Sequence, residues 1–577
     1  MNRIYCFRIK YLLVFLSLVL LPVLLYPGVP KDVSGVINQV RARVTAVGAD
    51  YVILDDVTGF APGDTVLVIQ MKGVAIINDN NSNFGEIQDN VGDVGYYEFI
   101  IIQLVEAGPL KITFYNNLKG GYNAESFVQL VRVESYETLK VTGELTCPDW
   151  DITSGTGGVL ALFASDKVEL YSDINVSGKG FRGGLNAPIT GTCVETIDSY
   201  FFSEANTRSG RKGEGIASHD KILAPLVPGT YARGIGAIAT GGGGGDGSLA
   251  GGGGGGGYGF GGAGGVEYGC SEFTSISGKG GKKITAFYGD TTVIMGGGGG
   301  ASGFISGSAP NGGNGGGIIF IMTDSIYSFG GSIKANGQSA SFASSGAGGA
   351  GGGAAGSIVI SSNGYGAGGV TVQANGGSGS NAATGNEKSI GGGGGGGFIW
   401  ISPADYSMLT TSVIGGLAGN FTGSSASDGV NGFALKTNLQ MRLNGFLFNT
   451  VVTDKDGNLL DSICLGQIPR PLKASVPVGG TLPFSIYWEK SYSAGGPWVS
   501  LSGTLSGTVF TPDQPEAATI WIRRRIVDSS SPTAIEDISK SVKVIVHPLI
   551  YDFEIDNSTG DTICYGQTPL TVDPLVT

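Results

Sequence analysis

The sequence predicts a mainly β protein. The expected order is an N-terminal β domain, a Gly-rich repeat β domain with a polyglycine-II-like bundle (or a β-helix-like coil), and then an Ig-like β-sandwich. Three observations carry this. Short alternating apolar and polar runs, separated by Gly, Pro and Asp turns, occupy both flanks of the chain. Glycine supplies 104 of the 577 residues, far above a usual share of ~7%. Apolar tetrads such as "FIWI" return beside the glycine runs, and the "ANG" triplets of two aligned units, at Ala335 and Ala374, lie 39 residues apart.

Residues 1–30 read as an export signal. Arg3, Arg8 and Lys10 precede the apolar run Tyr11–Leu25, which is shorter than the ~20 residues of a spanning helix. Pro22, Pro27 and Pro30 break the run near its end, and no clear A-x-A site follows, so a retained signal anchor is the alternative.

Residues 31–146 form the N-terminal domain, a small antiparallel barrel or sandwich. "VRARVTAVGADYVILDDVTGFAPGDTVLVIQMKG" (Val40–Gly73) alternates around a Gly/Pro/Asp turn, and "YYEFIIIQLVEAG", "LKITFYNN" and "SFVQLVRVESY" continue the series. Val74–Val94, rich in Asn, Asp and Gly, reads as a long loop.

Residues 147–448 contain an internal repeat. Gly316–Ala340 aligns with Ala355–Gly379 and with Gly395–Gly419, and Gly157–Gly180 is an outlying copy. A flexible linker has no need of recurring apolar tetrads. Glycine loses the most backbone entropy on folding, so ordered polyglycine requires many hydrogen bonds in return. Extended threefold strands have no internal hydrogen bonds and, lacking Cβ atoms, can lie side by side and bond to one another. The near-continuous apolar character of "IIFI", "SIVI" and "FIWI" implies strands buried on both faces. This glycine-rich stretch resembles the glycine-rich domains of certain receptor ectodomains and phage tip adhesins, in which polyglycine helices pack beside a β scaffold.

Residues 449–548 are the Ig-like sandwich, with Trp488 on a strand and short strands at sandwich spacing. "DSICLGQIP" (Asp461–Pro469) recurs as "DTICYGQTP" (Asp561–Pro569). Residues 549–577 therefore read as the truncated start of a second Ig-like repeat. Cys464 and Cys564 head consecutive repeats and are not an antibody-type intersheet pair. Cys193 and Cys270 are the candidate disulfide, with buried free thiols as the alternative.

"LTCPDWD" (Leu145–Asp151), "INVSGKGFRGG" (Ile174–Gly184), "ICLGQIPRPL" with "YWEKS", and "FTPDQPEAATIWIRRRIV" resemble large secreted gliding-motility-associated surface proteins. The resemblance implies export by the type IX secretion machinery, Ig/PKD-like repeats and a C-terminal sorting domain. That sorting domain is not in this sequence.

Composition excludes several function classes. A net charge of −12 with few charged residues is a poor match for nucleic acid. Only two histidines occur, His219 and His547, and no C-x-x-C pair exists, so no cofactor or metal site is expected. Gly-x-Gly-x-x-Gly matches carry no information within glycine runs. "GGGGGDGSL" (Gly241–Leu249) resembles a calcium-binding nonapeptide but occurs once, with Ser248 where a large apolar residue belongs. A polysaccharide-cleaving pair needs two acids about 5–10 Å apart. Between Gly296 and Ser402 only Asp324 and Glu387 are acidic, and they lie in different segments. Asp149 and Asp151, beside Trp150, are expected to cap or bridge. Phe398, Trp400 and Trp488 are expected in cores, and Arg523 and Arg525 on one solvated strand face. Tyr258, Phe260, Tyr268 and Phe304, set among glycines, are the candidate ligand contacts, with packing between glycine strands as the alternative. The expected function is that of a non-catalytic exported surface protein, adhesin-like or matrix-interacting, meeting an extracellular glycan or protein surface. Alternatives are a polysaccharide-active enzyme on a β-helical scaffold and a structural envelope component.

Overall fold

A computed structural model describes residues 31–548 except 89–93, 190–199, 218–230, 247–248, 267–275, 285–291, 305–308, 345, 367, 384–388, 403–406, 421–423, 437–440, 445, 448–450, 455–461, 475–477, 480–482, 507–508, 530–533, 535 and 540. The export signal, Tyr268, Cys193, Cys270 and the second repeat fall outside the described residues. The chain is mainly β and divides into two units, Met1–Leu447 and Phe448–Thr577.

In the first unit, six antiparallel strands close into a barrel. Their order is Tyr97–Glu106, Thr65–Gln70, Val128–Arg132, Arg41–Val47, Tyr51–Leu54 and Lys111–Phe114, which pairs again with Tyr97–Glu106. Alternation sends Val44, Val52, Val66, Val68, Ile100, Ile112 and Leu130 inward. Gly59, at φ +86°, makes the turn of "VTGF"; a Cβ there would meet Val40 at 2.9 Å.

A twelve-stranded sheet follows, and every pairing in it is parallel. The chain coils, adding one strand to each of two rows per turn. The first row stacks Val159–Leu170, Ile318–Ser328, Ser357–Ser361, Phe398–Ser402 and Phe433–Lys436. The second stacks Ile174–Asn175, Ser332–Lys334, Val370–Gln373 and Leu409–Ser412. Between the rows lies one core that includes Leu162, Ile174, Ile321, Ile333, Ile360, Val372 and Ile401. The other face of the first row is covered too. Barrel residues Tyr97 and Phe99 pack on Phe320 and Phe163, with ring centroids 4.6 Å (Tyr97–Phe320) and 4.9 Å (Phe99–Phe163) apart. Burial on both faces is why these strands read as unbroken apolar runs.

The structure moves one expected boundary. "SFVQLVRVESY" divides near Val133: Val128–Arg132 belongs to the barrel, whereas Glu134–Thr146 joins the parallel sheet and buries Leu139, Val141 and Leu145 in its core. Lys31–Val36 also pairs with this strand. At the junction, the Asn38 amide donates to the carbonyls of Arg132 and Ala161 and accepts from the Ala161 amide, each at 2.9–3.0 Å. Alternation alone cannot tell which of two adjoining sheets a strand enters.

The glycine runs are ordered against one another. Gly392 and Gly395 donate to Gly252 and Gly255, Gly393 and Gly396 to Ser427 and Val430, and Gly394 and Gly397 to Gly377 and Ala374, at 2.8–3.1 Å. Three consecutive amides thus address three neighbours, and the fourth returns to the first. Gly296–Ala301 repeats the pattern toward Gly316/Gly313, Gly256/Gly253 and Glu214/Arg211.

The second unit, taken by itself, has a four-stranded and a six-stranded sheet. Leu472, Trp488, Phe510, Ile520, Ile522 and Val544 form its core, with Trp488 stacked on Phe510 at 5.0 Å. Arg523 and Arg525 share one face and both bond Glu489 at 2.7–2.8 Å. Their guanidiniums lie over Trp498 and Tyr487.

Candidate interaction surface

The glycine-set aromatics fall into different environments. Tyr258 is packed, not presented. Its ring stacks on Phe398 at 4.4 Å, its hydroxyl donates to the Thr292 carbonyl, and burial pushes its phenol pKa upward. Phe304 lies in a two-residue strand, paired through Pro188, beside a small cluster of Ala309, Ala343 and Ala347. Phe260 is 40% exposed, with the Lys283 ammonium 5.1 Å from its ring centre.

Phe260 borders the last turn of the coil. Its carbonyl accepts from the Val430 amide at 2.8 Å, and Ala263 accepts from Ser427. On that turn Ile414, Leu417, Val430 and Phe433 are exposed by 58%, 63%, 51% and 53%. They stand on fixed backbone: Gly376 donates to Ile414, Gly379 to Leu417, Gly429 to Gly416 and Gly432 to Val413, all at 2.8 Å. Two edge strands, Leu409–Ser412 and Phe433–Lys436, end the sheet here.

The sequence contains a signal for this surface that becomes visible only between turns. Positions 39 residues apart stand side by side, as Val370 beside Leu409. The equivalents of Ile414 in earlier turns are Asn336 and Asn375, and those of Leu417 are Ser339 and Ser378. The asparagines form a ladder: the Asn336 side chain accepts from the Asn375 amide, and the Asn375 side chain accepts from the Ile414 amide. Polar residues occupy these outward positions until the final turn, where isoleucine and leucine replace them. Exposed apolar side chains gathered on one turn are a candidate for partner contact.

The ionisable groups elsewhere are structural in their contacts. Lys72 and Glu214 form a buried ion pair at 2.6 Å. Lys212 donates to the carbonyls of Tyr200, Gly234 and Gly236 at 2.5–2.8 Å, and burial lowers its pKa while Asp246 opposes that shift. Asp149 pairs with Lys179 at 2.6 Å beside a polar cavity of about 330 Å³ that Asn314 and Gln338 also line. Asp151 accepts from the Thr153 and Ser154 amides, which holds its carboxyl below the usual range. Asp324 accepts from the Asn363 side chain at 2.9 Å. Cys147 is a buried free thiol, its pKa pushed up to about 12 by burial. Among the described residues no group of three or more His, Cys, Asp or Glu side chains is placed to hold a metal ion. No described helix is long and apolar enough to cross a membrane.

Comparisons with protein-family models, with curated proteins and with solved structures found no match to this chain.

Proposed function

We propose that the chain is an exported, non-catalytic surface-binding protein, adhesin-like in its action, that meets its partner through the last turn of the glycine-rich coil. The observation that carries this reading is the change from Asn and Ser to Ile414 and Leu417 at solvent-facing positions of that turn. Phe260, Val430 and Phe433 are exposed on neighbouring segments, and the backbone of this turn is pinned by hydrogen bonds, so little conformational entropy is lost on docking. On this reading the glycine runs are a polyglycine-II bundle that stiffens the head, and the second unit is an Ig-like spacer. The three-neighbour amide pattern and the Trp488-centred core favour those assignments. Export through the type IX machinery follows from the resemblance of the sequence motifs.

The test is attachment of the purified chain to cell surfaces or extracellular matrix. Leu417→Asp is expected to reduce attachment at least tenfold while the unfolding midpoint stays within about 1 °C of the parent (roughly 1 kcal/mol for a chain of this size). Leu417 is already largely in water, so an aspartate there strands no buried charge. Unchanged attachment by this variant, or turnover of a polysaccharide by the parent chain, would remove the reading.

A further inference from the structure

We infer a second binding site at a corner of the coil, where Phe329 offers a bare ring face to one pyranose unit of an uncharged glycan. The inference rests on the surface-binding reading above but uses different residues.

Tyr171 and Phe329 occupy matching corners of successive turns, since Leu170 pairs with Ser328. Their rings stack at 4.6 Å with planes 9° apart. Both remain open to solvent, by 48% and 55%, and Tyr327 beside them by 40%. The next turn runs in the same register on both sides of the corner, Tyr365 beside Ile326 and Thr371 beside Ser332. By that register Gly368 takes the position after Phe329. A Cβ on Gly368 would meet the Ser328 carbonyl, and one on Gly366 would meet the Tyr327 ring. The column of rings therefore stops after two members, and glycine backbone stands where a third would begin. With one face on Tyr171 and 55% of its surface exposed, Phe329 keeps its remaining area open to solvent.

Neighbouring chemistry selects the occupant. The second row of strands turns alternate residues outward: Ser332, Thr371 and Thr410 in one line, and Lys334, Gln373 and Ser412 in the next. Lys334 is neutralised by Asp173 at 2.6 Å. The remaining five are hydroxyls and an amide, repeating at the rung spacing of about 4.8 Å, of the order of one sugar unit. A pyranose has an apolar face for an aromatic ring and equatorial hydroxyls for such a row. A protein side chain inserted over Phe329 would leave the row unused.

The experiment titrates the full chain with cellohexaose, xylohexaose and mannohexaose, by calorimetry and by saturation-transfer NMR. At least one is expected to bind. Phe329→Ala should weaken that binding at least tenfold, Phe329→Tyr should restore it to within about threefold, and Leu417→Asp should leave it unchanged. The half-exposed ring makes Phe329→Ala tolerable to the fold, and Phe329→Leu, which keeps apolar bulk without a flat face, should fail as the alanine does. Binding of none of the three, or binding that survives Phe329→Ala, overturns the inference. If the sugars fail while Leu417→Asp still abolishes attachment, this inference falls and the proposed function stands.

Discussion

Gly394→Ala is expected to destabilise the first unit by at least about 3 kcal/mol, at or beyond the upper end of ordinary overpacking. A Cβ on Gly394 would sit 2.0 Å from the Gly353 carbonyl oxygen and 2.5 Å from its carbon. Both obstacles are backbone, so no rotamer change relieves them. Gly353 cannot withdraw easily, because its amide donates to Gln338 and its neighbours Gly352 and Ala354 donate to Gly392 and Gly297. Gly394 itself donates to Gly377. One methyl group must therefore displace several hydrogen-bonded strands together. Gly364→Ala is the control: nothing lies within 4 Å of its Cβ position and its φ is not positive. That change should be neutral or stabilising by up to about 1 kcal/mol, through fewer unfolded conformations. Thermal and urea unfolding of both variants decides the matter. Equal behaviour would mean that Gly391–Gly397 is slack, as in a linker, and that the hydrogen bonds drawn through it contribute little.

The amide pattern also explains which features could be read from residues alone. Period marks the coil, since "ANG" at Ala335 and Ala374 stand side by side through Lys334 and Gln373. Two-face burial is equally legible in "IIFI" and "FIWI", because no alternation is needed where both faces are covered. The course of Glu134–Thr146 is not legible, because its alternation suits the barrel and the coil alike. Tyr258 illustrates a different limit. Glycine neighbours suggest an exposed ring, but its packing on Phe398 joins residues 140 apart in the chain. Ile414 and Leu417 are legible only when equivalent positions are compared between turns. Inspecting aromatics one at a time passes over them.

Lys72→Met is the second large effect. Lys72 follows the barrel strand Thr65–Gln70 and is fully buried. Its ammonium meets the Glu214 carboxylate at 2.6 Å and lies 4.9 Å from the centre of the Phe181 ring. Glu214 sits among the glycine strands: its amide donates to Arg182 and its carbonyl accepts from Gly298. Its side chain also accepts from the Trp150 indole at 3.0 Å. The pair thus ties the barrel to the glycine strands. Removing one partner of such a pair leaves a buried charge uncompensated and costs about 3–5 kcal/mol. Burial alone would raise the Glu214 pKa, but Lys72, Trp150 and Arg182 outweigh it and hold the carboxyl below its ordinary range. A depressed folded pKa stabilises the parent above the unfolded value, roughly pH 4.3 for glutamate, and that part is lost as pH falls through the folded value. In Lys72→Met burial prevails and the sign reverses: the folded pKa rises above the unfolded one, and the variant loses stability as pH climbs. The gap between parent and variant should therefore be widest near pH 7 and narrow toward pH 4. The double variant Lys72→Met/Glu214→Gln, which removes the stranded charge, should recover part of the loss and flatten the pH dependence. Denaturant midpoints from pH 4 to pH 7 measure both effects. A gap that ignores pH, or a double variant no better than the single, would mean that lost packing around the Lys72 stem, not its charge, sets the penalty.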